Sequence, residues 1–120
     1  MGTENFTDNE LSCRCGCGQK IEDEVFLYNL QRLREMYGEP MYLSSAFRCP
    51  EYNAKVSTTG ANGPHTKAAV DVLVYGEDAQ RLLWMAMASG FTGIGVKQNG
   101  RWSSRFIHID RREIPWVWSY

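Results

Sequence analysis

The segment Phe106-Ile-His-Ile-Asp110 carries the strongest fold information in the chain, because its apolar and polar side chains alternate over five residues. Successive side chains along a β-strand point to opposite faces, so the two isoleucines share one face and His108 and Asp110 share the other. We expect the isoleucines to face the core and the polar pair to face a surface or cleft. Asp110 could then orient His108 through a hydrogen bond or act as a base. The alternative is a solvated strand face with a local contact between the two residues.

The residues around this segment predict its neighbours in a sheet. Phe91 to Lys97 predicts a strand, Gln98-Asn99-Gly100 a turn, and Trp102 to Asp110 the return strand of a β-hairpin. Asn-Gly is a frequent turn sequence between antiparallel strands. Beyond them, aromatic residues alternate with small ones from Ile114 to Tyr120, which predicts an edge strand or an extended arm packed on the domain.

Earlier segments predict the remaining elements. Apolar residues at helical spacing predict two main helices, Glu22 to Tyr37 and Gly76 to Gly90. Short apolar runs predict strands at Met41 to Phe47 and Ala68 to Tyr75, and a short helix can run from Pro50 to Val56. Together these elements predict an α+β fold with two main helices and a small, mainly antiparallel sheet.

Composition limits the classes of protein to which the chain can belong. Its 120 residues, 43% of them hydrophobic, suffice for one domain with a buried core. We predict a single domain over residues 1–120, with a cysteine-containing arm, residues 1–20, packed on it. A net charge of -1 gives no indication of a basic surface that binds nucleic acid, and no apolar run approaches the ~20 residues that cross a membrane. We therefore expect no nucleic-acid partner, no membrane association and a monomer.

The four cysteines are Cys13, Cys15, Cys17 and Cys49. The run C-R-C-G-C lacks the C-x-x-C spacing of zinc knuckles and thioredoxin motifs. Reduced thiols in a tight, glycine-containing loop suit a cytoplasmic product. A structural metal or a disulfide to Cys49 is the alternative, and we assign no catalysis to these residues.

His65, Asp71 and His108 form a candidate set of metal ligands. Asp71 interrupts the apolar run Ala68 to Tyr75, and a carboxylate buried there needs a strong partner such as a metal or an arginine. His65 follows Gly63-Pro64, which predicts a loop residue held at a defined angle. Two imidazoles and one carboxylate leave zinc a fourth position for water, as in hydrolytic zinc sites. The alternatives are an edge-strand aspartate facing water and a surface loop histidine.

Arg48 is a further candidate, because it closes the strand Met41 to Phe47 just before a proline. There its guanidinium could project into a cleft and clamp a carboxylate or steady a carbonyl oxygen. A surface salt bridge with Glu51 or Asp78 is the alternative.

Four stretches resemble, in their order, the M15 peptidases: S-A-F-R-C-P-E-Y-N-A-K-V from Ser45, N-G-P-H-T-K-A-A-V-D-V from Asn62, G-F-T-G-I-G-V from Gly90, and R-F-I-H-I-D from Arg105. This family comprises the zinc D-Ala-D-Ala carboxypeptidases and L-alanyl-D-glutamate endopeptidases, and the resemblance is to its small phage-type members in particular. It covers the chain from Phe6 to the C-terminus. It implies the fold shared by D,D-peptidases and the Hedgehog signalling domain.

The same resemblance implies zinc (Zn2+) ligands at His65, Asp71 and His108, with Arg48 as a substrate or transition-state contact. An acidic residue near the last histidine serves as the base in this family, and Asp110 is the candidate. The implied function is a zinc-dependent peptidase that cleaves peptidoglycan stem peptides, as a D-Ala-D-Ala carboxypeptidase or an endolysin-type endopeptidase of phage origin. The alternatives are a cell-wall-binding or structural module with impaired catalysis, and a thiol-based site at the cysteine run.

The chain departs from the family pattern between His65 and Asp71. Five residues separate them, whereas the family has six that include a glycine. A shift of one residue turns every side chain of a strand to the opposite face. Either the loop after His65 absorbs the missing residue, or the site is distorted.

The N-terminal residues Met-Gly-Thr-Glu-Asn lack the basic and apolar regions of a signal peptide. We therefore expect synthesis in the cytoplasm and, if the resemblance holds, action on the cell wall after holin-type release.

Overall fold

The computed structural model describes residues 2–120, in which three helices pack with a five-stranded sheet. The helices are α1 (Glu24–Tyr37), α2 (Pro50–Val56) and α3 (Gly76–Ala88). Helix α1 begins two residues later than predicted, because the Asp23 carboxylate accepts a hydrogen bond from the Phe26 backbone N–H and caps the first turn. Among residues 2–120, each helix is too short or too polar to cross a membrane.

The sheet contains five short strands, and their order across it is β1-β2-β4-β3-β5. Their bounds are β1 Tyr42–Ser45, β2 Ala69–Leu73, β3 Gly93–Lys97, β4 Phe106–Asp110 and β5 Trp116–Ser119. Three of the four pairings are antiparallel, and β5 runs parallel to β3. The predicted small α+β domain is therefore confirmed, with a mixed sheet in which antiparallel pairs predominate.

One face of the sheet forms the core with helices α1 and α3. The alternation in β4 places Ile107 and Ile109 in this core, together with Val70 and Val72 of β2. Helix α1 contributes Phe26, Leu30, Leu33 and Tyr37, and helix α3 contributes Ala79, Leu82 and Ala86. The opposite sides of β2 and β4 are thereby left for polar residues.

The predicted hairpin is present, but its return strand starts later than Trp102, so that boundary was wrong. Strands β3 and β4 pair from Lys97 and Phe106, and the connection between them includes a 3₁₀ turn over Trp102–Ser104. The Arg105 guanidinium donates to the Gly100 carbonyl at 3.0 Å and holds this connection in place. The connection from Gln98 to Arg105 is therefore longer than the two-residue turn that Asn-Gly favours.

The N-terminal arm packs on the domain through two buried side chains, Phe6 and Leu11, which belong to the hydrophobic core. A single β-bridge joins Ser12 and Lys20 near its end. The single domain over residues 1–120 stays a prediction, and its first residue, Met1, lies outside the described residues.

A row of residues crosses the whole sheet on the face away from the core. Ser45 pairs with Asp71, Asp71 with His108, His108 with Gly95, and Gly95 with Trp118. Glycine is needed in this row because a Cβ at Gly95 would lie 2.6 Å from the Trp118 ring. The indole therefore lies across β3 at Gly95, against His108.

Replacing Gly95 with alanine should destabilise the protein by about 1–3 kcal/mol, because the added methyl group overpacks against the Trp118 ring. Urea denaturation measures this change in the free energy of unfolding. The control is the same substitution in a Trp118→Ala background, where the clash is absent and the cost should fall. An equal cost in both backgrounds would contradict this explanation.

Candidate metal centre

Asp71 lies at the centre of the polar face, in the middle of β2, and its side chain is buried. Its Oδ1 atom lies 3.2 Å from His65 Nε2 and 3.0 Å from His108 Nδ1. Burial alone would raise the pKa of the Asp71 carboxyl, but the hydrogen bonds with His108 and His65 outweigh burial and lower this pKa to about 2. The carboxylate is therefore ionised and lies between two imidazoles.

His65 reaches this point from the loop before β2. It lies in a 3₁₀ turn over Pro64–Thr66 and is buried, with Nδ1 2.6 Å from the Ala46 carbonyl oxygen. The backbone carbonyl of His65 accepts a hydrogen bond of 2.8 Å from the backbone N–H of Arg48. A 3₁₀ turn and an irregular backbone at Lys67 connect His65 to β2, and with five intervening residues His65 Nε2 still lies 3.2 Å from Asp71 Oδ1.

His108 is placed directly opposite Asp71 by the register of β2 and β4. Its Nδ1 faces Asp71, while its Nε2 lies 2.7 Å from Asp110 Oδ2. Burial alone would lower the pKa of His108, but contacts with Asp110 and Asp71 raise it above the ordinary value. Asp110 therefore binds the ring nitrogen that faces away from Asp71, which is the position of an orienting partner.

Asp110 is itself held by Arg112, which donates from Nε at 2.9 Å and from Nη2 at 2.6 Å. Burial would raise the pKa of Asp110, but the bonds with Arg112 and His108 hold it far below its usual range. A Cβ at Gly93 would collide with Asp110 and Arg112, so the glycine makes room for the pair. The Arg112 guanidinium then stacks 4.4 Å from the Trp118 ring centre, and Trp118 covers His108.

This cover explains why the polar pair of β4 is buried, although its face is turned away from the hydrophobic core. The expected cleft is present at this face and His108 lines it, but both side chains of the pair are almost completely covered. His108 and Asp110 are 2% and 3% exposed, because Trp118 and Arg112 lie over them.

Arg48 lies beside the carboxylate, with Nη2 3.9 Å from Asp71 Oδ2. Its Nε donates to Ser45 Oγ and its Nη1 donates to Asn53 Oδ1, both at 3.2 Å. Asn53 is fully buried in α2 and donates through its amide to Thr59 Oγ1 and to the Gly60 carbonyl. The guanidinium is thus fixed by two hydrogen bonds while about 18% of the side chain stays exposed.

An open cleft of about 640 Å³ gives access to these residues. It is lined by Arg48, His65, Asp71, His108 and Arg112 at its polar part, by Trp116, Trp118 and Tyr120 of the tail, and by residues of the loop before His65. A peptide-sized molecule would therefore meet the carboxylate and both imidazoles from one side.

The donor set fits a metal ion such as zinc. The Nε2 atom of His65, the Nδ1 atom of His108 and a carboxylate oxygen of Asp71 can all serve as ligands, and the three ligand atoms lie within 4.8 Å of one another. Each ring uses its other nitrogen for an outer acceptor, Ala46 O or Asp110 Oδ2. When each ring is neutral and its one N–H donates to the outer acceptor, the nitrogen that faces Asp71 has a lone pair available to a metal. A cation between these atoms would satisfy both lone pairs and the carboxylate together.

Sequence reasoning named the five residues that meet here but did not identify their supports. Arg112, Asn53 and Trp118 were missed. The only indication of a role for Arg112 and Asn53 was their position in the sequence. Arg112 is two residues beyond Asp110, and Asn53 lies in the stretch that begins at Ser45. Trp118 comes from β5, and no sequence pattern predicts that this strand pairs with β3 at Gly95.

Replacing Asp110 with alanine should weaken metal binding about 10–100-fold, because His108 loses the partner that fixes its ring and tautomer. Calorimetric titration of the metal-free protein with Zn²⁺ measures the affinity. The control is Glu113→Ala, which removes an exposed carboxylate from the same segment and should leave the affinity unchanged. Equal affinities for the two variants would show that Asp110 does not support the site.

Comparison with known proteins gives one match that covers nearly the whole chain. The sequence model of the Peptidase M15 family matches residues 4–110, which include Arg48, the candidate ligands and Asp110. No curated protein matches the chain significantly. Because the matched region spans far more than half of the 120 residues, the chain belongs to the Peptidase M15 family.

Proposed function

We propose that the protein is a zinc-dependent peptidase that cleaves the stem peptides of peptidoglycan. The observation that carries the proposal is the convergence of His65, Asp71 and His108, each histidine having its other ring nitrogen already bound to an acceptor. Three protein ligands leave a tetrahedral zinc ion one open position, which is typical of catalytic rather than structural sites. Membership of the Peptidase M15 family supports the peptidase activity.

The residues around the proposed zinc ion have different roles. Zinc in such a site supplies Lewis-acid polarisation of a carbonyl and activates water. Asp110 orients His108 by accepting a hydrogen bond from its Nε2–H, and the Ala46 carbonyl orients His65 by accepting one from its Nδ1–H. Asp110 is buried and binds the His108 nitrogen that faces away from Asp71, and this position favours an orienting role over that of a base.

Arg48 is the proposed contact for the substrate. Its guanidinium lies 3.9 Å from Asp71 and is partly exposed on the cleft, so it can donate to a carboxylate or to an oxyanion developing beside the ligands. Arg112 also lines this cleft, with its guanidinium bound to Asp110. Stem peptides of peptidoglycan carry free carboxylates, which makes them suitable ligands for this surface. An endolysin-type role in a phage, with release through a holin pore, belongs to the same proposal.

Replacing His108 with alanine should abolish hydrolysis of peptidoglycan and lower the zinc content by about one equivalent per chain. Treatment with a chelator should have the same effect on the unaltered protein, and added Zn²⁺ should restore activity. Release of peptide fragments from purified cell walls measures activity, and elemental analysis measures zinc. Protein that binds cell walls but neither loses zinc in the variant nor hydrolyses the walls would instead support a non-catalytic module.

Replacing Arg48 with alanine should lower kcat/KM about 10²–10³-fold, as expected when a charged donor to the transition state is removed. Arg48→Lys should recover little activity, because lysine keeps the charge but loses the planar fork held by Ser45 and Asn53. Initial rates on a synthetic stem peptide measure both effects, with zinc content checked in parallel. The matched control is Arg101→Ala, which removes an exposed arginine outside the cleft. Unchanged kcat/KM in Arg48→Ala would exclude the proposed contact.

A further inference from the structure

The four cysteines of the chain meet in space, although the sequence separates the fourth from the others by more than thirty residues. Cys13, Cys15 and Cys17 lie in the N-terminal arm, and Cys49 is the residue before helix α2. All four thiols are free, and their sulfur atoms lie within 4.8 Å of one another. Neither the hydrophobic core nor the peptidase site requires this convergence.

Two sulfur–sulfur distances in the group are close to those of thiolates around a tetrahedral metal ion. Cys13 Sγ lies 3.3 Å from Cys15 Sγ, and Cys15 Sγ lies 3.7 Å from Cys49 Sγ. Zinc–sulfur bonds of about 2.3 Å in a tetrahedron place neighbouring sulfur atoms about 3.8 Å apart. We propose that Cys13, Cys15, Cys17 and Cys49 bind a second zinc ion, which is structural because four protein ligands leave no open position.

Backbone N–H groups around the cluster suit thiolate ligands. The Cys49 N–H points to Cys13 Sγ at 3.3 Å, and the Tyr52 N–H points to Cys49 Sγ at 3.4 Å. The second bond makes the Cys49 sulfur the N-cap of α2. Donors of this kind stabilise the negative charge that cysteine carries when it binds a metal.

The arm has the backbone that three closely spaced ligands need. Gly16 and Gly18 adopt positive φ angles of 86° and 85°, which other residues rarely do, and they alternate with the cysteines. The Gly16 N–H donates to the Cys13 carbonyl, and the Cys13 N–H donates to the Gln19 carbonyl. These bonds fold the run into a compact loop whose thiols point to Cys49.

A metal here would clamp the N-terminal arm to the segment that builds the peptidase site. Cys49 follows Arg48, and the Arg48 N–H bonds the His65 carbonyl. The Ala46 carbonyl, two residues earlier, fixes the His65 ring. The second ion would thus hold one end of the segment from Ala46 to Cys49, whose other contacts position Arg48 and His65.

Metal content per chain tests the proposal. The reduced protein, purified with zinc, should hold about two ions per chain, and Cys15→Ser/Cys17→Ser should hold about one fewer. Both replaced side chains are exposed, so the core remains intact. The matched control is Gln19→Ala, an exposed residue of the same loop, which should keep the full content. Equal zinc content in the cysteine variant and the control would overturn the proposal.

Cobalt substitution separates this site from the peptidase site. In a His65→Ala background, Co²⁺ should still give the near-ultraviolet charge-transfer bands of thiolate coordination, and the added cysteine substitutions should remove them. If the peptidase site bound no metal, the unaltered protein would hold one ion and these bands would persist. The proposed function would then fail while the cysteine site stood. Absence of the bands in the His65→Ala background would overturn the cysteine site alone.

Thiol reactivity distinguishes the metal from a disulfide. With zinc bound, Cys15 and Cys17 should react slowly with an alkylating reagent despite their exposure, and a chelator should make all four thiols reactive. Fewer than four thiols in the denatured, unreduced protein would indicate a disulfide and contradict the proposal.

Discussion

The negative charge of Asp71 is the constraint on which the rest of the site depends. A carboxylate in the middle of a buried strand loses most of its hydration and must be compensated by nearby donors or cations. The structure surrounds it with two imidazoles and, at 3.9 Å, one guanidinium. Each of these groups is in turn fixed by further partners. On the polar face of the sheet, each charged or polar group is therefore held by a partner, and these contacts begin at Asp71.

Two glycines of β3 allow these polar groups to be buried, because each leaves room for side chains that cover them. At Gly95 the missing side chain admits Trp118, and at Gly93 it admits the pair of Asp110 and Arg112. The tail strand β5 supplies Trp118 because it pairs with β3 on the far edge of the sheet. A parallel strand added at this edge thus covers a histidine two strands away, on β4.

The segment from Ala46 to Cys49 connects the two groups of possible metal ligands. One end fixes His65 through the Ala46 carbonyl, and the other end contributes Cys49 to the group of four thiols. Arg48, between them, faces Asp71. The two groups differ in the number of protein ligands, three against four, and under the two proposals this difference would separate a metal with an open position from one closed by protein.

Local sequence patterns determined the helices, the strands and the side of the sheet that faces the core. These patterns are the alternation in Phe106–Asp110, the apolar run that contains Asp71, and the helical spacing before Gly38. The sequence also identified the histidines, Asp71 and Arg48 as one group by their resemblance to a known family. Tertiary structure alone decided that five residues suffice between His65 and Asp71, whose side chains meet at 3.2 Å. It also decided that Asp110 lies behind His108, and that Arg112, Trp118 and Asn53 support the site. Contacts between distant strands leave no periodic trace in a sequence, because each depends on strand order and register.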